Sequence, residues 1–292
     1  IDIKHQTMKK EDTIKIFALA MLVFLNIFIW MRPVETENNI MSVYFLDVGQ
    51  GDSIFIEAPN GKQMLIDAGR NSSSILELSK YISFSDKEID VVVATHPDSD
   101  HIGGLPEVFE RFDILNFIDP SVTSDTNIYK ELALRSGQEG SRYIKGERGL
   151  TIILDKKHGV YFQVLAPDES FKFTDTNNMS IIGKLVYGES SFLLTGDASK
   201  AVENILAYSD GELLESDILK AGHHGSKTSS SVLFLEKVKP DISIISASAN
   251  NTYGHPHDEV IRALQSAHSE ILQTKDEGSI AFETDGVTIW RK

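Results

Sequence analysis

Apolar and polar positions change rhythm along this chain. Residues 16–31 (IFALAMLVFLNIFIWM) form an uncharged apolar run in which Asn26 is the polar exception. Ile14 extends the run past Lys15, whose long stem can snorkel, and Trp30 stands at the far end, where interfacial aromatics collect. The pattern predicts an uncleaved membrane span over about 14–31 within an anchor at 1–33, followed by a polar linker at 34–40. From Met41 the text turns to short β-branched and aromatic runs at 42–48, 53–58 and 63–68, separated by the turn signals GQGD and PNGK, which predicts an antiparallel meander. A helix is expected at 73–83, a buried strand at 89–95, a short helix at 105–112 with Pro106 in its first turn, and a strand at 114–118. The polar stretch 121–149 is expected to hold one helix (126–135) and loops. Strands return at 159–167, 179–188 and 191–196, strand and helix alternate from 198 to 267, and SIAFE and VTIW close a hairpin around TDG. Meander plus alternation predicts one α/β (α+β) domain at 41–292, with two packed sheets and helices outside.

Composition alters this picture in two ways. No cysteine is present, which excludes disulfides, thiolate metal sites and cysteine nucleophiles, so a metal site must draw on His, Asp, Glu, Asn or water. The formal net charge is -15; the first 33 residues carry five positive and three negative side chains, so the rest carries -17. Such a surface repels polyanions at long range and counts against a broad nucleic-acid groove, although bound metal can reverse the sign inside a cleft. Lys9, Lys10 and Lys15 precede the apolar run, and Glu35 and Glu37 follow it. The positive-inside rule then predicts a single-pass cell-membrane protein with a cytoplasmic N-terminus and an extracytoplasmic domain.

Candidate chemistry is densest in Thr95-His96-Pro97-Asp98-Ser99-Asp100-His101-Ile102-Gly103-Gly104. Four ligand-type side chains fall within six residues, directly after an apolar strand and before a helix, so they occupy a loop at a sheet edge. His96, Asp98 and Asp100 share parity, while adjacent Asp100 and His101 can point apart, so one loop could feed two neighbouring metal ions. A lone histidine there would read as an ordinary polar residue; four such groups ahead of Gly-Gly do not. Imidazole suits zinc, iron or manganese, and a larger carboxylate share favours harder ions. Asp67 ends QMLID, Asp197 ends SFLLTGD, His223 and His224 follow SDILKAG, and His255 and His257 stand in YGHPH after DISIISAS. Each alone is weak, because Asp after a strand is commonly a helix cap. Together they place Asp or His at five successive strand ends, with His5, His158 and His268 incidental.

These residues resemble the metallo-β-lactamase superfamily, whose motif H-x-H-x-D-H is here His96-x-Asp98-x-Asp100-His101. The Asp98 variant followed by Gly103-Gly104 is similar to one branch, the hydrolase domain of the DNA-uptake competence family ComEC. FLDVGQGDSIFIE, LIDAG, NNMS, LLTGD, LKAGHHGS and YGHPH follow in the same order, over about residues 41–292. The resemblance implies an αββα four-layer sandwich and hydrolysis assisted by two divalent metal ions, zinc or manganese. It implies His96 and Asp98 as ligands of one metal, Asp100 and His101 as ligands of the second, and Asp197 as the bridge. One histidine of HHGS would be a late ligand, His223 ahead of His224, with the other contacting substrate. Asp67 would brace the metal loop, His255 would bind substrate or donate a proton, and His257 would lie beside it. The chain departs from the family at Asp98 and has no histidine at the third ligand position, where Asn178 would stand instead. The expected reaction is phosphodiester hydrolysis, with DNA or RNA first among substrates. Asp100 would orient the attacking water, and His255 or the unligated histidine of the 223/224 pair would protonate the leaving oxygen. The alternatives are a phosphorylcholine-type esterase acting on envelope polymers and a metal-binding scaffold without turnover. A β-lactam substrate is disfavoured by Asp98, and one membrane span cannot form a DNA channel.

Overall fold

The period-two runs are satisfied by two sheets. The structure, a computed structural model, describes residues 10–30, 39–138 and 140–292. Its strands are β1 (Met41–Phe45), β2 (Ile54–Glu57), β3 (Gln63–Ile66), β4 (Glu88–Val93), β5 (Asp113–Asp119), β6 (Arg142–Lys145), β7 (Thr151–Asp155), β8 (Val160–Ala166), β9 (Ile182–Tyr187), β10 (Ser190–Leu194), β11 (Ile218–Lys220), β12 (Ile242–Ile245), β13 (Glu270–Gln273), β14 (Ile280–Thr284) and β15 (Ile289–Arg291). One sheet runs β15-β14-β1-β2-β3-β4-β5-β6 and the other β13-β12-β11-β10-β9-β8-β7. Each changes character midway. Strands β1 to β3 pair antiparallel, as expected, and β3 to β6 pair parallel. In the second sheet β7 to β10 pair antiparallel and β10 to β13 parallel.

Alternation decides which face each residue covers. Val43 and Phe45 point between the sheets, where they pack with Ile54, Ile56, Phe162 and Phe192. Tyr44 and Leu46 point the other way, onto helices. Slipping β1 by one residue would exchange these sets, so burial specifies its register. The helices are α1 (Lys10–Trp30), α2 (Ser73–Leu78), α3 (Ser99–Ile102), α4 (Leu105–Arg111), α5 (Asn127–Gln138), α6 (Lys200–Ser209), α7 (Val232–Val238), α8 (Asp258–Ser266) and α9 (Thr274–Glu277). Ile75, Leu105, Phe109 and Leu132 from α2, α4 and α5 cover the first sheet. Val202, Leu206, Phe234 and Leu264 from α6, α7 and α8 cover the second, completing four layers, helix–sheet–sheet–helix.

Strands β6, β7 and β13 fall where no strand was expected. Each lies at a sheet end, and Arg142, Tyr143 and Lys145 of β6 are exposed. A short, exposed, charged edge strand such as β6 resists unwanted pairing and leaves little periodicity to read.

The residues divide into two units, Ile1–Asn38 and Asn39–Lys292. The expected membrane span is corrected here: among the described residues no helix is long and apolar enough to cross a membrane. Helix α1 opens with KEDTIK, which carries four charges, and only Ile16–Trp30 of it is uncharged. At roughly 1.5 Å per residue that stretch reaches about 22 Å, against ~30 Å of hydrocarbon. The single-pass cell-membrane location, with a cytoplasmic N-terminus and an extracytoplasmic domain, falls with the span. Residues 1–9 of the expected anchor and 34–38 of the expected linker lie outside the described residues.

Candidate metal centre

Both sheets turn from antiparallel to parallel at an interior strand, β3 in one and β10 in the other. The candidate residues gather in the loops that leave the carboxyl ends of β3, β4, β10, β11 and β12. Asp67 directly follows β3, Thr95–His101 follows β4, and Asp197 follows β10. The turn 222–225 follows β11, and the stretch 246–257 follows β12.

The loop after β4 is folded tightly. Asp98 is the extended N-cap residue of α3, and its carbonyl accepts from the N–H groups of both His101 and Ile102 at 3.0 Å. The loop presses on the one after β3: a Cβ at Gly103 would stand 2.0 Å from the carbonyl oxygen of Arg70. Asp67 holds the loop from beneath. It is fully buried and adopts φ 58, a left-handed conformation that Asp tolerates better than most residues. Its Oδ1 accepts from Thr95 N–H at 2.8 Å, and its Oδ2 accepts from Thr95 Oγ1 at 2.7 Å and faces His101 Nδ1 at 2.7 Å.

The opposite nitrogen of His101, Nε2, lies 3.2 Å from Asp197 Oδ1. The other Asp197 oxygen is 3.4 Å from His224 Nε2 and 3.7 Å from His223 Nε2. His224 Nε2 is also 3.7 Å from Asp100 Oδ2. The His96 ring centre is 4.1 Å from that of His101, and His96 Nε2 is 3.9 Å from Asp98 Oδ2. His96, Asp98, Asp100, His101, Asp197, His223 and His224 therefore meet at one edge. Consecutive left-handed residues aim the histidine pair, with φ 50 at His223 and 54 at His224. Non-glycine residues hold that conformation only where their surroundings over-determine it.

The two differ in burial. The His224 side chain is 1% exposed and that of His223 26%. Asp98 is more open still, at 42%, and accepts from Thr176 Oγ1 at 2.7 Å. His255 stands at the rim, its ring 5.7 Å from His223 and 6.3 Å from His224. His257 is farther out, 5.1 Å from the His255 ring, and its Nδ1 accepts from Lys227 N–H at 3.3 Å. Asn178, expected beside the first metal, points elsewhere. It donates to Asp175 at 2.7 Å and accepts from Ser199 Oγ at 2.5 Å. Its neighbour Asn177 faces the centre instead, 3.4 Å from His223 Nε2. The two sit in one 3₁₀ turn, Asn177–Met179, where successive side chains diverge by about 120°.

Charge is concentrated here. Burial disfavours the Asp197 carboxylate, yet His224 and His101 beside it hold its pKa well below the ordinary value. Burial likewise opposes charge on His101 and His224, yet Asp197 with Asp67 and Asp52 holds both well above the ordinary imidazole range. Asp100 behaves like Asp197: burial is overcome by His224 and His101, and its pKa falls to about 2. His96 is pushed down to about 4, by burial and then by His101. Carboxylates at this edge thus demand nearby positive charge. His96 Nε2, His101 Nε2, His224 Nε2 and Asp197 Oδ1 are buried with no hydrogen-bond partner among the described residues. An orphaned buried polar atom costs about 1–3 kcal/mol, so convergent lone pairs imply a group that accepts them together. Imidazole nitrogens and carboxylate oxygens in this arrangement suit a divalent metal ion.

The sequence reading misses two residues. Ligand atoms of Asp52, His101, Asp197 and His224 all lie within 4.8 Å of one another, and Asp52 belongs to a text taken as a turn and as part of a family motif, with no site role given to it. The second is Lys220, fully buried at the end of β11 and 2.8 Å from Asp52 Oδ2. A lysine inside an apolar strand is the signal that could have exposed both. A cavity of about 560 Å³ between α7 and α8 is lined by Leu235, Arg262 and Ala263 and contains none of these residues.

Four layers with a His/Asp centre at the carboxyl ends of parallel strands define the class, an α/β sandwich of the metal-dependent hydrolase type. The chain belongs to the metallo-β-lactamase superfamily, whose pattern matches residues 46–249. It is 30% identical over 257 residues to ComE operon protein 3 of Bacillus subtilis, covering 82% of this chain and 32% of that protein. It is 28% identical over 275 residues to Recombination protein 2 of Haemophilus influenzae, covering 93% and 32%. These relatives are competence proteins of the ComEC type, and the chain spans about a third of the length of the curated relatives it matches. The metallo-beta-lactamase fold protein YhfI from Bacillus subtilis aligns with TM-score 0.57 at 13% identity, covering 84% of this chain and 99% of that one. That is agreement of fold.

Proposed function

We propose that this domain is a divalent-metal-dependent phosphodiesterase that hydrolyses nucleic-acid phosphodiesters. The observation that carries the reading is the meeting of His101, His224 and Asp197, flanked by His96 and Asp100, with buried ligand atoms of His96, His101, His224 and Asp197 left without hydrogen-bond partners among the described residues. In this reading Asp197 would help hold two divalent cations. His96 and Asp98 would hold one of them, and Asp100 and His101 the other. The burial of His224 favours it over His223 as the late ligand, leaving the more open His223 to face substrate. The name of one relative, Recombination protein 2, supports a nucleic-acid substrate over an envelope ester.

Bound divalent cations would supply Lewis acidity at the phosphoryl oxygen and make water nucleophilic near neutral pH. Around them the protein's own groups divide the work. Asp100, ionised at any physiological pH, accepts a hydrogen bond from the attacking water and sets its approach. His255 is pushed down to about 4 by burial and by His224, His223 and His257, so near pH 7 it is neutral. It therefore acts as an N–H donor to a phosphoryl or leaving oxygen, in place of the imidazolium acid expected from the sequence. Arg70, half exposed, has Nη2 3.8 Å from Asp100 Oδ2 and a hydrogen bond with Tyr253. It brings a fixed positive charge to the rim of an acidic domain, as an anionic substrate requires.

The test is hydrolysis of single-stranded DNA, double-stranded DNA, RNA, a chromogenic phosphodiester and a phosphorylcholine ester by metal-loaded protein, with Asp197→Ala as control. The expected result is cleavage of nucleic acid that disappears in the variant while the circular-dichroism spectrum is unchanged. Full activity in Asp197→Ala would remove the centre from the reaction. Cleavage confined to the phosphorylcholine ester would replace the substrate class.

A further inference from the structure

Asp52 lies in the turn between β1 and β2 of one sheet, and Lys220 ends β11 of the other. Lys220 is 0% exposed. A buried ammonium costs several kcal/mol to desolvate unless it is closely paired. Its Nζ is 2.8 Å from Asp52 Oδ2 and donates to the Ala221 carbonyl at 3.0 Å. Asp52 Oδ1 has no hydrogen-bond partner among the described residues and stands 3.3 Å from His224 Nδ1. That nitrogen also lies 3.0 Å from the Ser246 carbonyl oxygen. With Nδ1 held between two acceptors, His224 presents Nε2 to Asp197 and Asp100. The same relation exists across the centre, where Asp67 faces His101 Nδ1 and His101 presents Nε2 to Asp197.

We propose that Asp52 is a positioning residue for the metal centre: locked by Lys220, it keeps the proton of His224 on Nδ1 and leaves Nε2 to bind metal. A carboxylate behind a ligating imidazole fixes both its tautomer and its orientation. Asp52 is within reach of the ligand cluster itself, but its geometry argues against direct ligation. One oxygen is held by an ammonium, and the other faces the His224 nitrogen turned away from Asp197. The pair also joins the sheets. Asp67 and His101 both belong to the first sheet, whereas Asp52 reaches from the first to Lys220 and His224 on the second. It therefore sets where the two halves of the centre meet. Gly51 lets the turn approach the metal loop, since a Cβ there would lie 2.1 Å from the Asp100 carbonyl oxygen.

The inference rests on the metal-centre reading, and the test separates the two. Apo full-length protein is titrated with Mn²⁺ and with Zn²⁺ against a competing chelator, for the wild type, Asp52→Asn, Lys220→Met and the double variant. Expected for Asp52→Asn is unchanged stoichiometry with affinity lowered about 10–100-fold. Lys220→Met should lose thermal stability, because it strands a buried carboxylate. The double variant should regain that stability while its metal affinity stays low. If Asp52→Asn does not fold, the double variant carries the affinity measurement. Loss of one metal equivalent in Asp52→Asn would make Asp52 a ligand and overturn the proposal, as would wild-type affinity. A wild-type protein that binds no metal would instead overturn the centre.

Discussion

Asp67→Asn isolates the charge of one buried carboxylate from its shape. Asn keeps the volume and tolerates φ 58, and its carbonyl oxygen can still accept from Thr95 N–H. The Oδ2 position is where it fails. That atom now accepts from Thr95 Oγ1 and faces His101 Nδ1, both at 2.7 Å. An amide NH₂ in its place must donate, so His101 has to give up the Nδ1 proton and carry it on Nε2. Nε2 is the atom 3.2 Å from Asp197 Oδ1, the one proposed to bind metal. A hydrogen bond involving a charged partner is worth about 1.5–3 kcal/mol, so stability should fall by about that much. Against a total of roughly 5–15 kcal/mol the domain survives, and Tm should drop by about 4–10 °C. Metal affinity should fall about 10–100-fold through the wrong tautomer. Calorimetry gives the first quantity and chelator competition the second. Asp67→Ala is the contrasting variant, since it also strands Thr95 N–H and places Ala in the left-handed region. It should lose stability well beyond Asp67→Asn. Wild-type metal affinity in Asp67→Asn would refute the argument that this carboxylate sets the His101 tautomer.

Other consequences can be measured directly. Gly51→Ala has to move the Asp100 carbonyl away from a Cβ 2.1 Å distant, so it should cost about 1–3 kcal/mol and weaken metal binding; thermal melts with and without Mn²⁺ check both. Removing metal with a chelator should lower Tm, because a cation at about 100 times its Kd contributes about 2.7 kcal/mol; identical melts would contradict binding to the folded state. Glu203 is raised to about 7, by burial that outweighs its bonds from the N–H groups of Ser231 and Ser230. The folded state thus holds the Glu203 proton longer than the unfolded chain, so this group's stability contribution is full below about pH 4.5 and is lost as pH rises through 7. Glu203→Gln should flatten that part of the stability–pH curve, and parallel curves for variant and wild type would exclude it. His255→Ala should lower kcat by about 10²-fold with metal content unchanged.

What the sequence disclosed depended on how locally each feature was written. His96, Asp98, Asp100 and His101 crowd one loop, and Asp67 and Asp197 end apolar runs, so strand-end position alone suggested that they meet. Asp52 and Lys220 are joined by the packing of one sheet on the other; a lysine inside an apolar strand signals a buried partner, but no local pattern says which residue it is. The Asn177–Asn178 pair shows a finer limit. The motif was legible, but which amide faces the centre depends on the rotation of a single 3₁₀ turn. The same holds for His223 and His224, whose left-handed backbone reverses the usual link between parity and direction. For α1 the apolar text was clear, yet the charges in its opening turns leave too short an uncharged length, and composition there outweighed geometry.

Charge connects the fold to the chemistry. A domain with an excess of acidic groups gathers several more at one edge, where Lys220 is committed to Asp52 and Arg70 is partly shared with Asp100. Protons on His101 and His224 can offset the buried carboxylates, but each of those protons would occupy a nitrogen that the centre needs as a ligand. A divalent cation would resolve the conflict, because it would neutralise the carboxylates and leave the imidazoles neutral. On the proposed reading, the carboxylates placed behind the rings, Asp67 and Asp52, share one role beyond their structural contacts. They would hold the remaining proton of each imidazole on the side away from a bound cation, so that an acidic edge would become, once loaded, able to receive the anionic substrate proposed for it.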